Sequence, residues 1–399
     1  MRVASRRLVD RIRADRARSA REQAVAAEPL DPQAGVDTET RTPADDSLRL
    51  LLMCCHPALT RSSQVALTLR AVSGLTTAEV AAAFLVPQAT MGQRLSRARA
   101  TLRTAGARFA LPAPEELPAR VASVLDVLHL TFTEGSTRSS GTVLVDATLT
   151  AEALRLTRRL HALLPDHDEV TGALSLMLLT HARWAARSDA GGDLVPLAEQ
   201  DRRLWDRGLV ADGVQLLECV LPRGHVGRYQ LQAAIAAVHA EAPTWGATDW
   251  QQVVVLCQLL ANLSPGAAVT LNKAVAAAMA FGPAHGLAVL RPLEDDPVMQ
   301  RHHRFYAVRA HLREMSGDPA ALEDYRLAAR LTASLPEQRY LNRRVQQLVA
   351  SNVLAATSSA RGWSGQLGHG GERAAPGIGG GADDPHAVAS PGGSVSAVR

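Results

Sequence analysis

The sequence of 399 residues is poor in aromatic residues, lysine and cysteine, and each shortage narrows what the chain can be. Aromatic residues make up 4% and hydrophobic residues 47%, with alanine and leucine prominent, which favours helix packed on helix over sheet. The 4 cysteines show no disulfide framework, which indicates a reducing compartment. No apolar run reaches the ~18–20 residues of a membrane span, and no secretory signal is recognisable. We therefore expect a cytoplasmic protein with no membrane contact.

Sequence motifs of catalysis are also missing. The chain has no Gly-rich phosphate loop, no Gly-x-Ser-x-Gly elbow and no carboxylate-rich metal site. We predict that the protein is not an enzyme and needs no cofactor. Its length predicts two or three domains.

Positive charge is concentrated in two places. Residues 1–25 hold eight arginines against three acids, and residues 88–108 hold five arginines and no acid. Blocks of this kind suit a polyanion such as DNA, whose phosphates they can neutralise. The alternative for either block is an ordinary solvated helix face.

Breaks rich in proline and glycine divide the chain into five segments. Residues 1–25 form one basic helix, and residues 26–46 have the composition of a flexible linker. A helical pattern fills residues 47–108, and a succession of helix-length segments fills residues 109–356. Residues 357–399 are rich in Gly, Ala, Ser and Pro, and we expect them to be disordered because they cannot bury enough apolar surface.

One internal repeat is visible in the longest segment. Three residues recur with a shift of 35 positions, namely Gly282, Leu287 and Leu290 as Gly317, Leu322 and Tyr325. Helix pairs that repeat about every 34 residues are typical of tetratricopeptide (TPR) proteins. The two copies predict a TPR-like array. The alternative is that the recurrence of these three residues is due to chance.

The segment Leu75–Arg103 has the pattern of a helix-turn-helix. Thr76 or Thr77 can cap a first helix, with Glu79 near the capping-box position, and Pro87 prevents that helix from continuing. A second helix then carries one inner apolar stripe, which consists of Met91, Leu95, Ala98 and Leu102.

The opposite face of the second helix is polar and basic. A short helix that presents Gln and Arg outward fits the major groove, where Gln pairs with adenine and Arg with guanine. Arg99 and Arg103 lie on a flank and are expected to meet phosphates. The predicted DNA-binding residues of the motif are Gln88, Thr90, Gln93, Arg94, Arg97, Arg99 and Arg103. The alternative is a plain two-helix packing unit.

The stretches LTTAEVAAAF and TMGQRLSRARATLR resemble the −35-reading helix-turn-helix of the sigma-70 family, in its extracytoplasmic-function branch. The core of the likeness is the pattern Thr90, Arg94, Leu95, Arg97 and Ala98. One subgroup also carries a Cys-Cys-His-Pro stretch and a long helical extension. Its landmarks are similar to FTEG at 132–135, EQDRRLWDR at 199–207, YQLQAAIAAVHAEAP at 229–243 and LNKAVAAAMA at 271–280.

This resemblance implies an all-α protein: a winged-less helix-turn-helix of the sigma region 4 type, a TPR-like helical-repeat domain and a disordered tail. The implied partners are promoter DNA, core RNA polymerase and a protein bound by the helical repeats. Residues 1–25 would be a remnant of the basic helix of sigma region 2, with DNA contacts from Arg6, Arg7 and Arg11.

The sequence departs from the family in three ways. Leu85 stands where glycine is usual in the turn, and Gly92 stands where a basic residue is usual. Most of the first sigma domain is missing, so either the true start lies upstream or the copy is degenerate. As written, the chain should read promoter DNA poorly and not open it unaided. The rival readings are a one-component or adaptor regulator with partner-sensing repeats, and an interaction scaffold with a vestigial DNA motif.

Three other features carry weaker signals. Cys54, Cys55 and His56 could bind zinc, but the paired ligand spacing is missing and core packing is the better interpretation. The scattered histidines of the helices suit surface or core positions better than catalysis. The charged cluster 199–207 around Trp205 suits an ion-pair network slightly better than a partner-binding patch.

Overall fold

The computed structural model describes residues 43–84 and 86–364, and within them the chain is helical almost throughout. The predicted all-α class is confirmed. The basic helix of residues 1–25 with Arg6, Arg7 and Arg11, and the tail beyond residue 364, lie outside the described residues. None of the described helices is long and apolar enough to cross a lipid bilayer.

The described chain divides into two compact units. The first comprises residues up to 141, 145–184 and 206–240. Its described part contains nine α-helices and one two-residue strand, which are α1 (Pro43–Cys54), α2 (Arg61–Ala71), α3 (Thr77–Ala83), α4 (Gln88–Thr104), α5 (Leu117–Ser136), β1 (Ser140–Gly141), α6 (Ala147–Leu163), α7 (Asp168–His181), α8 (Arg207–Val220) and α9 (Arg228–Glu241).

The second unit comprises residues 142–144, 185–205 and 241 onward. Its described part contains six helices and a second short strand, which are α10 (Trp250–Leu263), α11 (Ala267–Phe281), α12 (Pro283–Leu290), α13 (His303–Met315), α14 (Ala321–Leu331), β2 (Ala333–Ser334) and α15 (Leu335–Ser364).

The ends of the helices around the helix-turn-helix follow from local side-chain chemistry. The Thr60 hydroxyl accepts a hydrogen bond from the Ser63 N–H and so caps α2. Gly74, in the turn after α2, has a φ of +73°, a left-handed conformation that costs glycine little free energy. Gln64 donates to the Cys55 and His56 carbonyls and ties α2 to the end of α1.

Helix α5 holds the α1–α4 bundle through two charged side chains. Arg120 on α5 donates to the Leu52 carbonyl of α1 at 3.2 Å. Arg61 at the start of α2 pairs with Asp126 on α5 at 2.9 Å. Arg228 at the start of α9 pairs with the same Asp126. Helices α1, α2, α5 and α9 are therefore tied together within the first unit.

The residues of the 35-residue repeat occupy structurally equivalent positions in two helix pairs of the second unit. Gly282 and Gly317 both have positive φ, at +95° and +69°, and each follows a long helix and precedes a shorter one. Leu290 and Tyr325, the last pair of the repeat, are both completely buried. The repeat therefore marks two helix pairs, α11–α12 and α13–α14.

Two predicted segment boundaries differ from the structure. Helix α1 begins at Pro43, inside the expected linker 26–46, because proline is well suited to the first turn of a helix. Helix α15 continues to Ser364, past the expected start of the tail at residue 357. Extending an existing helix adds a hydrogen bond for each residue ordered, whereas starting one is costly.

Candidate nucleic-acid interface

Helices α3 and α4 form the helix-turn-helix, and a capping box sets its start. The Thr76 hydroxyl accepts from the Glu79 N–H at 3.2 Å, and the Glu79 carboxylate accepts from the Thr76 N–H at 2.7 Å and from its hydroxyl at 2.8 Å. These hydrogen bonds lower the pKa of Glu79. The predicted cap is confirmed at Thr76.

The predicted inner stripe of α4 is confirmed. Its four residues are between 0% and 4% exposed and anchor α4 against α2 and α3, namely Met91, Leu95, Ala98 and Leu102. With this stripe inward, the polar residues on the opposite side of α4 are directed away from the bundle.

The polar residues of α4 outside the apolar stripe form a basic ridge, which we define as Gln88, Thr90, Gln93, Arg94, Arg97 and Arg103. Gln88, Thr90, Arg97 and Arg103 are exposed, whereas Gln93 and Arg94 are half-buried. The residues predicted to read base edges therefore lie on an accessible surface rather than in the core.

The ridge keeps its positive charge. Among the described residues, Arg97 and Arg103 have no acidic partner. The lone acid between residues 75 and 108 is Glu79, whose carboxylate is held in the capping box. An unneutralised arginine surface on a helix is what a phosphate backbone attracts.

Arg94 is held by an aromatic contact that the sequence did not reveal. Its guanidinium carbon lies 5.3 Å from the centre of the Phe84 ring, within the range of a cation–π interaction. Phe84 follows the end of α3, so the turn of the motif supports a side chain of α4.

The structure corrects the role of Arg99. This side chain is 9% exposed and lies inside the bundle, where its charge partly offsets the rise in the pKa of Cys54 that burial causes. A buried guanidinium cannot reach a phosphate, and Arg99 is therefore removed from the predicted DNA contacts. Gly92 is buried on the same flank of α4.

The vicinal cysteines pack in the core, as preferred over the zinc interpretation. Cys54 and Cys55 are 0% exposed, and burial raises the pKa of the Cys55 thiol to about 12. Burial of both side chains fits the core-packing interpretation. The His56 Nδ1 accepts a hydrogen bond from the Ala58 N–H at 3.2 Å.

Two residues of the charged cluster 199–207 have structural roles. Arg202 is 9% exposed, stacks 4.5 Å from the Trp205 ring centre and donates to the Ala242 carbonyl at 2.6 Å. The carboxylate of Asp206 caps α8 by accepting from the Leu209 N–H.

The scattered histidines include clear core positions. His311 is buried and His129 is half-buried, and desolvation lowers the pKa of each imidazole to about 4. Both are therefore neutral near neutral pH. Across residues 43–84 and 86–364, no group of three or more His, Cys, Asp or Glu is arranged to hold a metal ion.

Comparison with known proteins agrees with this geometry. Residues 49–102, which contain the helix-turn-helix, match sigma-70, region 4, and residues 120–221 match a family of unknown function (DUF6596). Region 4 is a DNA-binding and non-enzymatic domain, and it implies interaction with promoter DNA and RNA polymerase. No solved structure matches the chain.

A relative that matches most of the chain shows the family. An uncharacterized protein of Rhizobium meliloti (strain 1021) is 38% identical over 318 residues, which cover 79% of this chain and 75% of the relative. The chain therefore belongs to the same protein family as this rhizobial protein, and its region 4 domain supports membership of the sigma-70 family.

Proposed function

We propose that the protein is a sigma factor of the extracytoplasmic-function branch, which directs core RNA polymerase to promoters by reading a −35 element with α4. The observation that carries the proposal is the basic ridge, because it combines accessible Gln and Arg side chains with an unneutralised positive charge. In this proposal the protein acts by binding at a promoter, with no catalytic step and no cofactor.

The ridge residues divide into two roles. Gln93 suits adenine, and Arg94 and Arg97 suit guanine, and each good pair discriminates by ~1–3 kcal/mol. Arg103 is exposed in the last turn of α4, where it suits a phosphate. Gln88 begins α4, and the N-terminus of a helix attracts an anion.

The second unit is proposed to be a TPR-like array that binds a protein partner and tunes the activity of the factor. Its support is the pair of equivalent turns at Gly282 and Gly317, each between a longer and a shorter helix. Stacked helix pairs of this kind present continuous surfaces to peptides and proteins. A cytoplasmic location fits this function.

Sequence-specific DNA binding can be tested without knowing the promoter. The full chain selects a preferred duplex from a randomised pool, and its affinity for the selected and unselected duplexes is measured by fluorescence anisotropy. We expect Arg94→Ala/Arg97→Ala to abolish the preference. The matched control is Arg155→Ala/Arg158→Ala, which removes two arginines with the same spacing from the exposed face of α6. Equal behaviour of the two double variants would contradict the proposal.

Polymerase association separates a sigma factor from an adaptor regulator. The full chain is immobilised, incubated with core RNA polymerase and then used in run-off transcription from templates that carry the selected duplex upstream of a start site. A sigma factor retains the polymerase and supports initiation that depends on the selected sequence. Selective DNA binding without polymerase capture would instead support the adaptor regulator.

A further inference from the structure

A single arginine connects the region of unknown function with the helix-turn-helix. Arg138 lies just after α5, and its Nη2 donates to the carbonyl oxygen of Ala83, the last residue of α3, at 2.9 Å. The side chain is only 5% exposed. The contact spans 55 residues of sequence within the first unit.

The same guanidinium is fixed by a second group. Its Nη1 pairs with the Asp146 carboxylate at 2.8 Å. The other carboxylate oxygen of Asp146 accepts from the Thr148 and Leu149 N–H groups and caps α6. Arg138 therefore joins the C-terminal end of α3 to the N-terminal cap of α6, and we refer to this arrangement as the Arg138 bridge.

The physical chemistry of helix ends explains why the bridge suits this position. The last carbonyls of a helix have no partner within the helix and attract a cation. Helix α3 has only 7 residues, so it has little stability of its own with which to resist displacement. A buried, charge-assisted hydrogen bond at its last residue fixes where the turn begins.

The backbone that the Arg138 bridge holds is adjacent to Phe84, which contacts Arg94. Ala83 is followed by Phe84, whose ring supports the Arg94 guanidinium. The ring also lines a cavity of about 230 Å³, together with Val65, Leu69 and Leu130. The cavity leaves part of the Phe84 ring without packing contacts. The position of the ring therefore depends on the backbone at residue 83. Arg138 holds that backbone.

We propose that Arg138 is a positioning residue for DNA recognition: through Ala83 and Phe84 it sets the orientation of Arg94, so that the region of unknown function contributes to sequence reading. This inference rests on the proposed DNA-reading role of α4. It does not depend on whether the chain recruits RNA polymerase.

The test measures specificity and not affinity alone. Binding of the full chain to the selected duplex and to an unselected duplex is measured by anisotropy for Arg138→Gln. We expect the ratio of the two affinities to fall roughly two- to thirtyfold, with non-specific affinity and its salt dependence unchanged. Partial unfolding would lower both affinities by the same factor and leave the ratio unaltered.

Two further variants isolate the bridge. Asp146→Asn removes the ion pair but keeps a good N-cap for α6, so we expect a smaller fall in the same ratio. Arg120→Gln is the matched control, because Arg120, on α5, likewise donates to a backbone carbonyl of the bundle but lies away from the turn. We expect it to leave the ratio unchanged.

The outcomes separate this inference from the proposed function. If the wild-type chain shows no sequence preference, the proposed DNA-reading function fails. If the wild-type chain is selective and Arg138→Gln keeps the full ratio, the positioning role is overturned. An equal fall in the Arg120→Gln control would also overturn it, because general loosening of the bundle would then explain the result.

Discussion

Arg99 and Arg103 are four residues apart on α4, and the structure predicts opposite consequences for replacing each with alanine. Arg103 is exposed and without an acidic partner among the described residues, whereas Arg99 is buried. Arg103→Ala should weaken DNA binding and leave folding unchanged. Arg99→Ala should lower the free energy of unfolding and leave the salt dependence of DNA binding unchanged.

The magnitude for Arg103 follows from counterion release. One phosphate contact contributes about 0.9 to the slope of log affinity against log salt concentration. Over a fourfold change in salt, such as 50 to 200 mM, one lost contact changes the ratio of wild-type to variant affinity by about 3.5-fold. The deficit of Arg103→Ala should therefore be largest at low salt and shrink as salt is raised.

The magnitude for Arg99 follows from its burial. Removing it deletes a buried polar group and the packing of its aliphatic stem, which costs ~1–3 kcal/mol. Urea unfolding followed by circular dichroism measures the loss, and anisotropy titrations at several salt concentrations measure the slope for both variants.

One result would refute this reasoning directly. If Arg99→Ala reduced the salt slope by about 0.9 and folded as stably as the wild type, the side chain would have to reach DNA. The inward orientation of Arg99 would then be wrong.

Three further predictions concern the rest of the chain. Gly286→Ala should destabilise the protein by ~1–3 kcal/mol in urea unfolding, since its Cβ would lie 2.6 Å from the Ala274 carbonyl oxygen; Gly246→Ala, with nothing within 4 Å, is the control. Native protein should expose one fast thiol to Ellman's reagent, on Cys219, and four after denaturation, because the other three are buried; a second fast thiol would contradict the fold. The pKa of His311 is about 4 in the folded chain and ~6.5 unfolded, so the unfolded chain takes up the proton first and stability falls as pH drops from 6.5 to 4. His311→Gln should reduce that loss between pH 7 and 4.5, and an unchanged loss would exclude His311 as a cause.

The helix-turn-helix was predictable because its information is local. The capping box at Thr76 and Glu79 and the stop at Pro87 depend on neighbours within a few residues. The apolar stripe of α4 follows from the helical period alone. Those signals set the register of α4 and hence the side that faces outward.

The flanks of the same helix were not predictable. At 100° per residue, Arg94 and Arg99 lie about 70° to either side of the apolar stripe. Helical periodicity therefore predicts the same exposure for both side chains. The burial of Arg99 reflects the covering of its flank by the bundle. Arg103, one turn later on that flank, is exposed.

The amino-acid sequence alone determined that the described chain is helical almost throughout, where α4 begins, and which four residues anchor that helix, because capping and periodicity act over one or two turns. Only the tertiary structure decided that Arg99 turns inward, that Phe84 supports Arg94, and that Arg138 holds the end of α3. The contact from Arg138 to Ala83 bridges 55 positions, and its geometry depends on how α5 and α6 pack in the first unit. No pattern within a single helix encodes a contact of that kind.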